Sequence, residues 1–328
     1  MDKLLEFIYL YPELVGLTLA IIAEWLMPFP AKYSPASFFR LLADGFAKKL
    51  ATSGSEKQQT LSGWLSLITY LFLLLAILFA LLFVAENDVW THALLLYLSL
   101  GYQPVANRTL AINQCVDHNQ KSAAKSLLAQ HCPYDVNRLS LFGVNKLSIE
   151  MASIYFVSAW LMPALLFIVF NGVAAFAYRA VFEAYLCWLP QSPTTRYYGK
   201  GVTAVKNTIE ILPTYFFAPI YSVFSSSPGW SRLIRNTKVK WQESKASNNN
   251  LLVWLSIVAA GCKSEMAGPL MISDRKIVRP RINSQSDKTL SQPNKTMIHL
   301  LNWNNRFRFT VVLFNMAILF ALIFTSKG

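Results

Sequence analysis

The chain has 328 residues, 54% of them hydrophobic and only 14% charged, with a mean hydropathy of +0.36. Soluble domains carry roughly 25% charged residues, so this composition excludes an ordinary soluble fold and argues for one membrane-embedded unit over residues 1–328. The net charge of +13 comes from Lys and Arg set between apolar stretches and not along one stripe, which speaks against nucleic acid as a partner and for loops at an anionic membrane face.

In chain order, the opening MDKLLEFIYLYPEL lacks a basic leader and carries Glu6 and Glu13, so it does not read as a cleaved signal peptide. Phe7–Met27 is a first span, interrupted by Glu13 and Glu24. Ser34-Pro35 is a helix start, with Ser as cap and Pro in the first turn. Phe38, Leu42, Phe46 and Leu50 follow at four-residue spacing and predict an amphipathic helix on the inner surface. Leu61–Ala85 holds no charge and is the clearest span. Trp90–Val105 is a shorter one. Val105, Thr109, Ile112, Val116, Ala123 and Leu127 recur at helical spacing and predict one helix over 106–130. Met151–Tyr178 is uncharged but too long for one helix, and Asn171-Gly172 splits it into helices near 151–170 and 173–189.

Two apolar stretches fit poorly as spans. Thr208–Phe224 contains Glu210, Pro213 and Pro219, and Leu251–Cys262 is too short to cross. Both read as re-entrant or interfacial segments buried in protein. Residues 283–297 are polar and read as a mobile loop, and Phe309–Ser326 is the last span. No internal repeat or strand alternation stands out, which disfavours a transporter. The fold expected is all-α: a polytopic membrane helical bundle with re-entrant or interfacial segments and helical cytoplasmic loops.

Charge placement orients it. Lys and Arg crowd 28–60, 106–150 and 264–308, while the 86–89 turn carries only Glu86 and Asp88. Basic segments stay cytoplasmic, so six crossings with both termini outside are expected, with the helical segments near 28–60, 106–150 and 190–308 on the cytoplasmic side.

Motifs for soluble chemistry are nearly absent. Gly199-Lys200-Gly201 lacks the spaced glycine and the Ser or Thr of a phosphate loop. Cys115, His118, His131 and Cys132 read as incidental polar residues, because adjacent His131 and Cys132 converge poorly on one ion. None of the four cysteines forms a C-x-x-C pair, and no disulfide framework is implied. Ionisable groups at membrane depth are costly and often functional, which singles out Glu24, Glu150, Arg179, Glu183 and Glu210. The plainer alternatives are that Arg179 and Glu183 pair with each other at i,i+4 and that Glu24 snorkels to the interface.

The order of features resembles the CobD/CbiB family, membrane enzymes that join adenosylcobyric acid to aminopropanol or its phosphate. The resemblance runs from Glu24 to about Ile282. It rests on AEWLMPFPAKYSP after the first span, Tyr134-Asp135-Val136, Gly143-Val144, Glu150 followed by Pro163, Asn171-Gly172, Tyr178-Arg179-Ala180, Tyr198-Gly199, Pro213, the 247–250 run SNNN, Ala260-Gly261 and Gly268-Pro269. Most family acids and amides are replaced: their positions hold Ile154, Tyr155, Ser158, Phe182, Tyr185, Lys206 and Asn207. The resemblance implies amide-bond formation with Mg-ATP and a corrinoid, Asp135 and Glu150 in charged catalytic roles, and Arg179, Glu210 and Asn249 on the substrate. It also implies a multi-pass protein of the bacterial inner membrane, in contact with lipid and able to self-associate. The replacements imply weakened catalysis, and the alternative is a non-catalytic AmpE-like inner-membrane signalling or accessory protein.

Overall fold

The computed structural model describes residues 11–30, 33–51, 54–85, 89–189, 196–227, 229–243, 248–272, 275–282 and 293–325. Among them the chain is almost entirely helical. The helices are α1 (Pro12–Leu26), α2 (Pro35–Leu50), α3 (Glu56–Val84), α4 (Val89–Ser99), α5 (Gln103–Asp117) and α6 (Lys121–Ala129). They continue with α7 (Leu141–Val169), α8 (Gly172–Cys187), α9 (Lys200–Phe224), α10 (Trp230–Glu243), α11 (Asn249–Cys262) and α12 (Pro293–Thr325).

Among the described residues three helices are long and apolar enough to cross a membrane: Glu56–Val84, Leu141–Val169 and Thr296–Leu322. In α3 the buried residues Gln59, Gly63, Ser66, Leu67, Tyr70, Leu74, Leu78 and Leu82 recur every three or four positions, so one narrow stripe faces protein. The rest of its surface, including Phe72, Phe79 and Phe83, is bare apolar side chain. Water does not tolerate that much exposed apolar surface, and lipid does. Gly63 sits on the stripe because the carbonyl of Tyr198 presses there; a Cβ would stand 1.9 Å from its oxygen.

α7 is buried over most of its length and forms the centre of the bundle. Ser140 caps it, its Oγ accepting from Gly143 N at 3.1 Å. The helix begins ten residues before the expected start near 151, since Asn145, Ser148 and Glu150 are buried inside the protein. Val157–Leu161 forms a π-turn, followed by Pro163. Pro163 has no N–H to give the carbonyl of Ala159, four residues back. That carbonyl instead accepts from Gly101 N at 2.9 Å. The turn between α7 and α8 falls at Asn171, whose Oδ1 accepts from Val173 N and Ala174 N, as its sequence suggests.

Several expectations change. The helix expected over 106–130 is two, α5 and α6, broken where Asn119 takes φ +56, a left-handed conformation that Asn tolerates. α9 runs unbroken through Pro213 and Pro219 for 25 residues, so no backbone break makes it re-entrant. Its Leu212, Phe216 and Val223 are exposed apolar side chains, and Glu210 is held inside. α11 keeps the expected short, buried character over 14 residues. α2 is capped by Ser34 as expected, but its protein face is Ala36, Phe39 and Ala43, and Phe38 and Leu50 lie outward.

The C-terminal basic segment differs most. Residues 266–282 form two small antiparallel pairs, β1 (Met266–Ala267) with β4 (Arg281–Ile282) and β2 (Leu270–Ile272) with β3 (Arg275–Ile277). Of the expected 283–297 loop, 283–292 lie outside the described residues and Pro293 opens α12. Arg279 and Arg308, counted among the loop charges, are both buried in ion pairs. Residues 1–10 of the first span, 86–88 of the expected external turn and Ser247 of the SNNN run also lie outside the described residues.

Candidate functional site

The buried acids are held by four separate devices. Glu24, at the end of α1, pairs with Arg308 of α12, and Gln103 N at the start of α5 donates to its other oxygen at 2.7 Å. A carboxylate there also faces the positive end of α5. Arg308 turns a second nitrogen to Gln103 Oε1 at 2.6 Å. Glu24 is therefore sealed between three helices and does not snorkel.

Glu150 pairs with Arg279 at 2.8 Å and accepts from Ala267 N at 2.7 Å, so it ties α7 to β1. Arg279 Nε donates on to Gly268 O at 3.1 Å. Burial pulls the Arg279 guanidinium down in pKa, but Glu150 and Tyr134 outweigh it and the net shift is upward. Both oxygens of Glu150 are engaged, which leaves no lone carboxylate for chemistry.

Arg179 pairs with Glu183 at 2.7 Å, the i,i+4 partner, and donates to Ser99 O at 3.3 Å. Gly101 lets this guanidinium lie flat against the chain; a Cβ there would stand 2.7 Å from its Nη1. Glu183 also pairs with Arg40 of α2 at 2.5 Å, and Arg40 Nη2 donates to Tyr155 OH at 2.6 Å.

The fourth device lines a cleft. Glu210 and Lys206, one turn apart on α9, pair at 2.6 Å. Ser158 Oγ and Tyr178 OH both donate to Glu210 Oε1, at 2.7 and 2.5 Å. Ser158 lies within the π-turn of α7. Lys206 sits 4.8 Å from the centre of the Tyr185 ring, within reach of a cation–π contact. Ser153, Ile154 and Val157 of α7 form one wall, and Asn248, Leu251 and Trp254 another. Asn248 caps α11 and donates through Nδ2 to Asn207 Oδ1 at 2.7 Å. The cleft takes in about 400 Å³ of open space, of which about 30 Å³ admits water, room for one or two molecules.

Of the residues expected to form a site, only Glu210 lines this cleft. Asp135 is half-exposed and accepts from Asn137 N at 2.9 Å, a local turn bond. Asn249 is exposed in the first turn of α11, and its neighbour Asn248 faces the cleft. Glu150 and Arg179 are spent in their own pairs. The cleft is instead walled by Ile154, Ser158, Tyr185 and Lys206 among others. Its single carboxylate is already neutralised by Lys206. No group of three or more His, Cys, Asp or Glu able to hold a metal occurs among the described residues. This donor set does not fit a resident divalent ion, which needs several oxygen ligands.

A helical bundle with bare apolar faces and charges paired inside it defines a helical membrane protein. The family model described as CobD/CbiB protein matches residues 17–296; the chain belongs to the CobD/CbiB family, membrane proteins of cobalamin biosynthesis. No curated protein and no solved structure matches it.

Proposed function

We propose that this chain is a divergent, multi-pass inner-membrane member of its family whose cleft binds a ligand of the cobinamide-forming step, with weak or absent amide-bond-forming activity of its own. The observation that carries this reading is the Lys206–Glu210 pair in the cleft. Joining a carboxylate to an amine through an activated phosphate calls for free carboxylates to hold metal and move protons. The cleft offers one, and Lys206 holds it. Loss of one catalytic group commonly costs about 10²–10⁴-fold in rate. The space for water in the cleft is also far below the roughly 300–1,000 Å³ of a pocket that swallows a drug-sized ligand. A corrinoid would reach it with one arm only. The accessory role foreseen in the AmpE-like alternative agrees with such a binding protein.

The test is purified protein with adenosylcobyric acid, aminopropanol phosphate and Mg-ATP. Product formation at or near background is expected, with corrinoid binding detectable by its absorbance. Robust turnover abolished by Glu210→Gln would overturn the reading.

A further inference from the structure

From Ile211 to Gln242 the chain holds four cations, Arg232, Arg235, Lys238 and Lys240, and no acid. All four fall on α10. The inner face of this helix is fixed. Leu233, Thr237 and Trp241 are buried at four-residue spacing, the helix packs on α11 and β4, and Trp241 Nε1 donates to Asn248 O at 3.0 Å. At about 100° per residue, Arg232, Arg235 and Lys238 spread over about 120° of the opposite face. They are exposed, and none has an ion pair or hydrogen bond among the described residues. Val239, 66% exposed, stands among them.

What precedes this face in the chain names its partner. α9 presents Leu212, Phe216, Ile220 and Val223 as exposed apolar side chains at three- and four-residue spacing, a surface suited to acyl chains. That face runs to the end of α9 at Phe224, and just beyond it Gly229 leads into α10 with φ +81, a left-handed conformation open to glycine. The cations therefore begin where the apolar face stops. Apolar surface followed by exposed Lys and Arg is the order of a chain at the boundary between acyl chains and headgroups. Nucleic acid or an acidic protein would use the cations and leave the apolar face of α9 uncovered.

We infer that the outward face of α10 is a docking surface for anionic phospholipid headgroups: Arg232, Arg235 and Lys238 meet the phosphates, and Val239 between them enters the interface. The guanidinium forks of Arg232 and Arg235 match phosphate oxygens in geometry, and Lys238 adds a point charge. A zwitterionic headgroup offers phosphate but no net charge, so the surface selects phosphatidylglycerol over phosphatidylcholine. This holds whatever the cleft binds.

The experiment uses full-length protein in detergent with equal amounts of phosphatidylglycerol and phosphatidylcholine, and counts by mass spectrometry the lipid that the protein retains. Enrichment of phosphatidylglycerol is expected, lowered at least about threefold by Arg232→Gln, Arg235→Gln and Lys238→Gln together. Lys49→Gln, Lys57→Gln and Lys121→Gln, at exposed positions on other helices, should leave it unchanged. A second measurement keeps the cations in place, and so decides even where the triple variant does not fold. Val239→Cys carries a polarity-sensitive fluorophore, read against labelled wild type in nanodiscs of phosphatidylcholine with and without phosphatidylglycerol. Its emission should shift to the blue with the anionic lipid, and the shift should fade as salt screens the charges. No preference for phosphatidylglycerol overturns the proposal, as does a preference that the α10 variant keeps or that both triple variants lose alike. An emission indifferent to the anionic lipid overturns it too. So does a label that responds to a DNA duplex and not to the lipid, which would make nucleic acid the partner.

Discussion

Glu24 and Arg308 stand 284 residues apart in the chain, Lys206 and Glu210 one helical turn. Both pairs are buried, and both carboxylates collect further donors. They differ in what else they touch. The first is closed on every side by α1, α5 and α12, and its only role available is to hold those helices together. The second was available as soon as α9 formed, reaches α7 and α8 only through the neutral donors Ser158 and Tyr178, and borders a cleft. A buried charge pair that links distant segments is a fastener. One that is local to a single helix and faces open space is the better mark of a site. The Arg40–Glu183–Arg179 group lies between these: local on α8, long-range to α2, and surplus in charge.

The contrast breaks first at the fastener. Glu24→Gln leaves Arg308 without its counter-charge in a buried position, and a loss of about 3–5 kcal/mol is expected. Thermal unfolding in detergent reads it. Glu24→Leu with Arg308→Met should recover most of that loss but not all, because Gln103 N loses its acceptor. A single variant as stable as wild type would mean that the pair holds nothing.

Acidity probes the surplus-charge group. Burial, then Arg108 and Arg40, push the His131 imidazole down to about 3 from its ordinary 6.5. The unfolded chain therefore binds a proton that the folded one refuses between these pH values. Its contribution to stability is intact above pH 6.5 and is lost as pH falls toward 3, by about 2–3 kcal/mol at pH 4.5. The difference between wild type and His131→Asn should show this slope, with Arg40, Arg108 and Tyr155 unchanged around the ring. Parallel curves for the two proteins would count against it.

The cleft pair should be more forgiving. Lys206→Met is expected to cost about 1–2 kcal/mol, since Glu210 keeps Ser158 and Tyr178 as donors and can take up a proton beside open space. A loss as large as that of Glu24→Gln would make the pair a fastener too. Smallest is Asp135→Ala, which removes one local turn bond at a half-exposed site and should cost less than about 1 kcal/mol.

The membrane character was legible because it rests on composition and on α3, whose unbroken apolar run has one reading. The Asn171 turn and the Ser34 cap were legible for the same kind of reason: short-range chemistry fixes them. Arg308 was missed because hydropathy averages over neighbours, and the first third of α12 is polar. A sharper signal was present, in Met297, Leu300, Leu301, Asn304 and Arg308, which recur at helical spacing and are all buried. Continuity of α9 through two prolines was not legible, since packing on α11 and α3 overrides local propensity. The cost of buried charge points to Glu150 and Arg179, but that rule selects fasteners and sites alike. The cleft is made by Ile154, Ser158, Tyr185, Lys206 and their neighbours on four helices, which no stretch of sequence brings together.

The distance between Glu24 and Arg308 has a consequence for how the protein is made. Synthesis at roughly 5–20 residues per second puts about 14–57 seconds between one residue and its partner 284 residues on. Through that interval α1 carries an acid that no guanidinium of α12 can yet meet. Glu183 and Glu210, by contrast, emerge within four residues of Arg179 and Lys206 and are balanced as soon as their helices form. α1, made early, is thus secured late, and a ribosome that stalls before Arg308 leaves its Glu24 unpartnered, a mark that a quality-control protease can act on.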